Sequence, residues 1–133
     1  MKTKDEIILE TLQEYLLHPE RRSVSGTSCR YNGPDGKHCA FARCVEEENR
    51  GLLQESLKAS LQDKTLIKKD YQGHDGDFWN FVQSIHDFAL PMLNMNCLSR
   101  LQRHLASFPQ SLKYLNENAS ALNLQRQEDP IRL

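Results

Sequence analysis

Apolar residues recur along most of this chain with a helical period. Ile8, Leu12, Tyr15 and Leu16 fall at i, i+4, i+7 and i+8, one face of a first helix. Thr3 with Glu6 three residues on predicts a capping box at its start, and His18-Pro19 predicts its end. Residues 20–27 read as a polar loop. Two short extended runs follow, Ser28–Tyr31 and Lys37–Cys39, joined by Asn32-Gly33-Pro34-Asp35-Gly36. Proline presets one turn dihedral and glycines accept positive φ, so the segment is predicted as a β-hairpin with Cys29 and Cys39 nearly opposite each other.

Beyond the hairpin the pattern predicts a short helix from Ala40 to about Glu48 and another carrying Leu53, Leu57 and Leu61. The polar stretch from Asp63 to Gly76 reads as a long surface loop. Asp77 is placed to cap a helix whose Phe78, Phe81, Val82, Ile85 and Ala89 form an apolar stripe, interrupted at Pro91. Leu98, Leu101 and Leu105 mark the next helix, and Pro109 suits the first turn of a last one with Leu112 and Leu115. The expected fold is mainly α, at the α+β boundary: about five helices around one core, with a two-stranded hairpin near residues 28–39. Residues 1–117 are expected to form the domain, and 118–133 a polar C-terminal tail.

Composition narrows the function classes. With 133 residues, 38% apolar and 26% charged, the chain suits one soluble domain. A formal charge of -1 gives no global attraction to nucleic acid or anionic lipid. No apolar run is long enough to span a bilayer, and the N-terminus lacks a signal-peptide core, so the expectation is a cytoplasmic protein with reduced thiols and no membrane partner.

Three constellations carry candidate chemistry. Cys29, Cys39 and Cys44, with His38 or His86, offer donors for a tetrahedral metal, but their separations differ from those of zinc knuckles. The preferred reading makes them small apolar residues that pin the hairpin, with no cofactor. Cys39 at a helix start, with His86 as base, is the candidate for nucleophilic catalysis; Asp87 is poorly placed to orient the ring, since helical neighbours diverge by about 100°. Between Arg21 and Arg43 lie five cations, Arg21, Arg22, Arg30, Lys37 and Arg43, against one acid, Asp35. Tyr31 and His38 interleave with them, a pattern that suits nucleic acid. Trp79 lies out of phase with its helix stripe, as a partly exposed contact residue would.

The pieces Cys29, Tyr31, Gly33-Pro34-Asp35-Gly36, Cys39-Ala40 and Ile85-His86-Asp87 resemble a group of small proteins of bacteriophages, prophages and bacteria. Those proteins carry a Cys-x-Tyr strand, a Gly-Pro-Asp-Gly turn, a Cys-Ala pair and an Ile-His-Asp helix. The likeness spans residues 29 to about 105. Ala42 stands where the group has glycine, and Glu46-Glu47-Glu48 replace its Pro-Asp. The resemblance implies no catalytic residues; it implies an accessory protein of phage or mobile-element type inside a bacterial cell. The leading expectation is a non-enzymatic protein that binds a host or phage protein through Arg30, Tyr31, Lys37, His38 and Trp79. Nucleic-acid binding by residues 21–43 and a Cys39/His86 enzyme are the alternatives.

Overall fold

The computed structural model describes residues 1–25, 28–122 and 124. The fold is mainly α. Among the described residues there are five α-helices: α1 (Lys4–Tyr15), α2 (Ala40–Arg43), α3 (Gly76–Ser84), α4 (Met95–His104) and α5 (Pro109–Ala119). A π turn, Ile85–Ala89, prolongs α3. The domain boundary expected at 117 falls inside α5, and Leu122 and Leu124 pack, partly buried, against the core. Most of the expected 118–133 tail lies outside the described residues.

Helix α1 starts as the sequence predicts. Thr3 and Glu6 exchange the two capping-box hydrogen bonds, at 3.1 and 3.0 Å, satisfying donors that the helix leaves unpaired. Its inner face buries Ile7, Ile8, Leu12 and Tyr15. The outer edge of the same first turn serves a different helix. The Asp5 carboxylate accepts from the Gln110 and Ser111 backbone N–H groups, each at 2.9 Å, and from the Ser111 hydroxyl. No side chain of α5's own N-cap does this. Burial raises the Asp5 carboxyl, but these hydrogen bonds outweigh it and hold the group below its ordinary value.

The predicted hairpin is not formed as expected. Residues 28–39 close only through an isolated bridge, Asn32 to His38, with Gly33 N–H to Lys37 C=O at 2.8 Å and Cys39 N–H to Tyr31 C=O at 3.2 Å. Cys39 therefore sits opposite Tyr31 and not opposite Cys29. Residues Ser28–Cys29 pair instead with Val24–Ser25 as a two-residue antiparallel ladder, β1 (Val24–Ser25) with β2 (Ser28–Cys29). Positive φ falls on Asp35 and Gly36, whereas Gly33 is extended, at φ -99°.

Two predicted elements differ further on. The leucines at 53, 57 and 61 do not form a helix: Leu53 is buried, Leu61 is exposed, and 3-10 turns occupy Glu47–Leu52 and Ala59–Leu61. The Gln62 amide holds this segment, donating to the carbonyls of Gln54 and Leu57. The stretch from 63 to 76 is not all surface loop, because Ile67 and Tyr71 are buried and Ile67 bridges Val45. Asp75, not Asp77, caps α3, accepting from Phe78 N–H at 2.9 Å. Trp79, Phe41, Ile7, Ile8 and Leu12 are among the largest side chains in the single core they share.

A second polar joint ties α1 to the 68–74 turn. Glu10 pairs with Lys2, accepts from the Tyr71 hydroxyl at 2.5 Å and from Arg43 at 3.1 Å. Burial raises the Glu10 carboxyl, while Lys2, Tyr71 and Arg43 together lower it further, below its ordinary 4.5. A carboxylate lowered in the folded state contributes stability that is complete above the unfolded value and fades as pH falls through the folded one. Glu10→Gln is therefore expected to cost about 1–2 kcal/mol near neutral pH. Its loss of stability on acidification below 4.5 should be shallower than wild type's. Urea unfolding at several pH values measures both.

Candidate functional site

The two stretches of sequence that stood out, residues 29–40 and 83–87, meet in space. Helix α3 and its π turn carry Gln83, His86 and Asp87 to one side of the core. The π turn, closed by Leu90 N–H to Ile85 C=O at 3.0 Å, is wider than an α turn and so reduces the rotation between neighbours. His86 Nδ1 and Asp87 Oδ1 consequently lie 2.7 Å apart, a contact that ordinary helical spacing argued against. Gln83 binds in two directions: its carbonyl accepts from Phe41 N–H at 3.0 Å, and its amide donates to Asp87 Oδ1 at 2.9 Å.

From the other side, the 22–29 segment closes on the same turn. Ser23 N–H donates to His86 Nε2 at 3.0 Å, and Arg22 Nε donates to the His86 carbonyl at 3.0 Å. A backbone N–H needs a lone pair to bond, so the imidazole proton sits on Nδ1, facing Asp87. The His86 ring is 0% exposed and meets Tyr15 edge-on, centroids 4.9 Å apart. Cys29 completes the group. Burial, then the nearby Asp87 charge, pushes its thiol up, while Arg22, 3.5 Å from the sulfur, opposes them.

Among the described residues, Cys29, His86 and Asp87 form a set with metal-ligating atoms within 4.8 Å of one another. The hydrogen bonds do not suit a metal. Coordination through His86 Nδ1 would move the ring proton to Nε2, where it would oppose the Ser23 N–H, and the Nε2 lone pair is already engaged. The cluster expected from sequence is not assembled either. Cys39 Sγ accepts from Ala42 N–H and Cys44 Sγ donates to the Ala40 carbonyl, each at 3.5 Å in the core.

Nucleophilic chemistry meets the same obstacles. Cys39 is fully buried, and burial pushes its thiol up to about 12, the opposite of activation. In the surface group Asp87 stands between thiol and imidazole, so His86 presents no free base to Cys29. All four cysteines are unbridged. A thiol-exchange reagent at neutral pH is expected to reach Cys29 and Cys97, which are half-exposed, with Cys29 slower than free cysteine. Cys39 and Cys44 should react only after denaturant is added.

The other singled-out residues separate. Arg30 is exposed, while Lys37 and His38 are half-buried. Tyr31 is buried, donating its hydroxyl to the Leu57 carbonyl at 2.5 Å, with its ring against Phe41. Trp79 is 0% exposed, not partly exposed: Phe41 from α2 and Phe78 pack edge-on against it, both at 5.3 Å. The short α2 covers a face of α3 that periodicity alone assigned to solvent. Of the five cations in 21–43, Arg21 pairs with Glu14, Arg43 with Glu10, and Arg22 is held in the His86 group.

What the sequence did not reveal is an apolar corner after α3. Phe88 is 64% exposed and Met92 50%, one turn apart, with Met92 N–H bonded to the Phe88 carbonyl. Met95 beside them is 45% exposed. Phe88 and Ser84 stand between two clefts. One, of about 490 Å³, includes Cys29, Glu55, Lys58 and Asp87; the other, of about 380 Å³, runs between α3 and α4. Leu17, Leu52 and Leu61 are exposed too, but line neither. The one sequence signal is Phe88 falling off the stripe that Ile85 and Ala89 continue. No helix among the described residues is long and apolar enough to cross a membrane. No protein-family model, curated protein or solved structure matches the chain.

Proposed function

We propose that this chain is a non-enzymatic interaction protein that docks a protein partner on the corner between α3 and α4. The carrying observation is the pair Phe88 and Met92, both at least half exposed on the ridge and wall of a groove. Solvent exposure of clustered large apolar side chains costs solubility and is a mark of contact surfaces. Thioether side chains adapt to a partner's shape at little packing cost. Cys29 borders the neighbouring cleft, so the 28–31 segment, with exposed Arg30, flanks the same face. The setting we propose is that of the resemblance, an accessory protein of phage or mobile-element type in a bacterial cytoplasm.

The alternatives draw less support. Three of the five cations in the basic segment are committed within the fold, which leaves Arg30 and Lys37 for a phosphate backbone. Cys39 and His86, the enzyme candidates, are both 0% exposed.

Photo-cross-linking in the native cell, from a benzophenone amino acid placed at position 92, tests the docking reading. A discrete protein adduct is expected, lowered about tenfold by Phe88→Asp, as for a central contact residue. Because residue 88 is exposed, that variant should keep its unfolding midpoint within about 0.5 kcal/mol. An adduct pattern indifferent to Phe88→Asp would refute the assignment.

A further inference from the structure

The groove between α3 and α4 has the shape and charge of a seat for one kind of partner. Its α3 wall is Phe81, Ser84, Ile85 and Phe88, at i, i+3, i+4 and i+7. Its α4 wall is Cys97, Arg100, Leu101 and His104, at the same spacing. Two such faces side by side leave a trough into which the ridge of a third helix fits, and Ile85 and Leu101 form buried parts of its lining. Eight residues of helix run about 12 Å, so a partner of two to three turns spans it.

Charge decides which helix. From Phe88 to Asn116 the sequence contains no aspartate or glutamate, yet carries Arg100, Arg103 and Lys113. This stretch includes all of α4, whose Arg103 and His104 are exposed, in a chain whose net charge is -1. A basic helix flanking an apolar trough rejects a basic amphipathic helix and favours an acidic one.

We infer that the partner presents a short, acidic amphipathic helix, its apolar side in the trough against Phe88 and Met92 and its carboxylates along Arg103 and His104. This rests on the docking reading above and adds the chemistry of the occupant. A second copy of the chain and an anionic lipid surface are the competing occupants.

The probe is a displayed library of short helical peptides with randomised positions, selected on the full chain and counter-selected on Phe88→Asp. Enriched peptides are expected to carry apolar residues at i, i+3, i+4 and i+7 and an excess of Asp and Glu. A synthesised member should bind at least about tenfold more weakly to Phe88→Asp and severalfold more weakly to Arg103→Glu, and should weaken as salt rises. Enrichment of neutral or basic peptides, no enrichment, or indifference to Arg103→Glu overturns the inference. So does groove-dependent self-association in sedimentation velocity, or binding of phosphatidylglycerol vesicles that Phe88→Asp abolishes. If any of these is found while the cellular adduct at position 92 still requires Phe88, the acidic helix is wrong and the docking surface stands. If that adduct is also indifferent to Phe88, both fall.

Discussion

His86→Ala is expected to lower the unfolding free energy by about 3–5 kcal/mol, the largest effect of any single change considered for this protein. Two costs combine. Removing a ring that is fully enclosed leaves a cavity beside Tyr15, and the Ser23 N–H loses its acceptor in a place water does not reach. Trp79, the one tryptophan, is itself fully buried and reports unfolding by fluorescence. Asp87→Asn provides the contrast. It keeps a carbonyl oxygen for the His86 Nδ1–H and lies at a half-exposed position, so its cost is expected to be only about 1 kcal/mol. A His86→Ala chain that unfolds within about 1 kcal/mol of wild type would mean the 22–29 segment is held by something else.

Gly33→Ala comes next, at about 2–3 kcal/mol, and the reason is space, not backbone angle. A methyl at residue 33 would lie 2.2 Å from the Ser23 hydroxyl oxygen and 3.1 Å from its Cβ. Ser23 is buried, and its hydroxyl makes no hydrogen bond with the described residues. Ser23→Ala alone should therefore be nearly neutral, yet it should recover about 1 kcal/mol of the Gly33→Ala loss, because the closest clashing atom is gone. Additive effects in that double-mutant cycle would show that the two loops are not in contact as described. A substitution at Gly36, where φ is +71° but nothing crowds the site, would cost through strain alone and would show no coupling to residue 23.

Both predictions concern one joint, and it changes how the recognisable stretches are understood. Cys29 through Ala40 and Gln83 through Asp87 draw attention because their residue types resemble chemistry: thiols, an imidazole, a carboxylate. In the fold those groups are used up on one another. Gln83 ties α2 to Asp87, His86 ties Ser23 to Asp87, and Arg22 ties the His86 carbonyl to Cys29. The surface left over for a partner is the unremarkable-looking Phe88-Ala89-Leu90-Pro91-Met92, and no motif marks it.

The sequence by itself determined the helices whose signals are local. The Thr3/Glu6 capping box, the stripe from Phe78 to Ile85, the leucines of α4 and Pro109 at the start of α5 each act within one or two turns, so they can be read from neighbours alone. Cysteines buried as small apolar groups were legible in the same way for Cys39 and Cys44. Only the tertiary structure decided the rest, because the decisive partners are distant in sequence. The Asn32-to-Gly36 turn reads as a hairpin, but strand pairing there competes with the bonds from Glu55 to the Tyr31 and Asn32 N–H groups, and residues 28–29 pair backwards with 24–25. The leucines at 53, 57 and 61 have helical spacing, yet the Gln62 amide satisfies that backbone as turns. Trp79 became core because Phe41, nearly forty positions away, covers it. Phe88 became surface because the π turn rotates it out of the stripe while drawing His86 and Asp87 together. Periodicity reports which side of one helix is apolar; what packs against that side is a property of the whole chain.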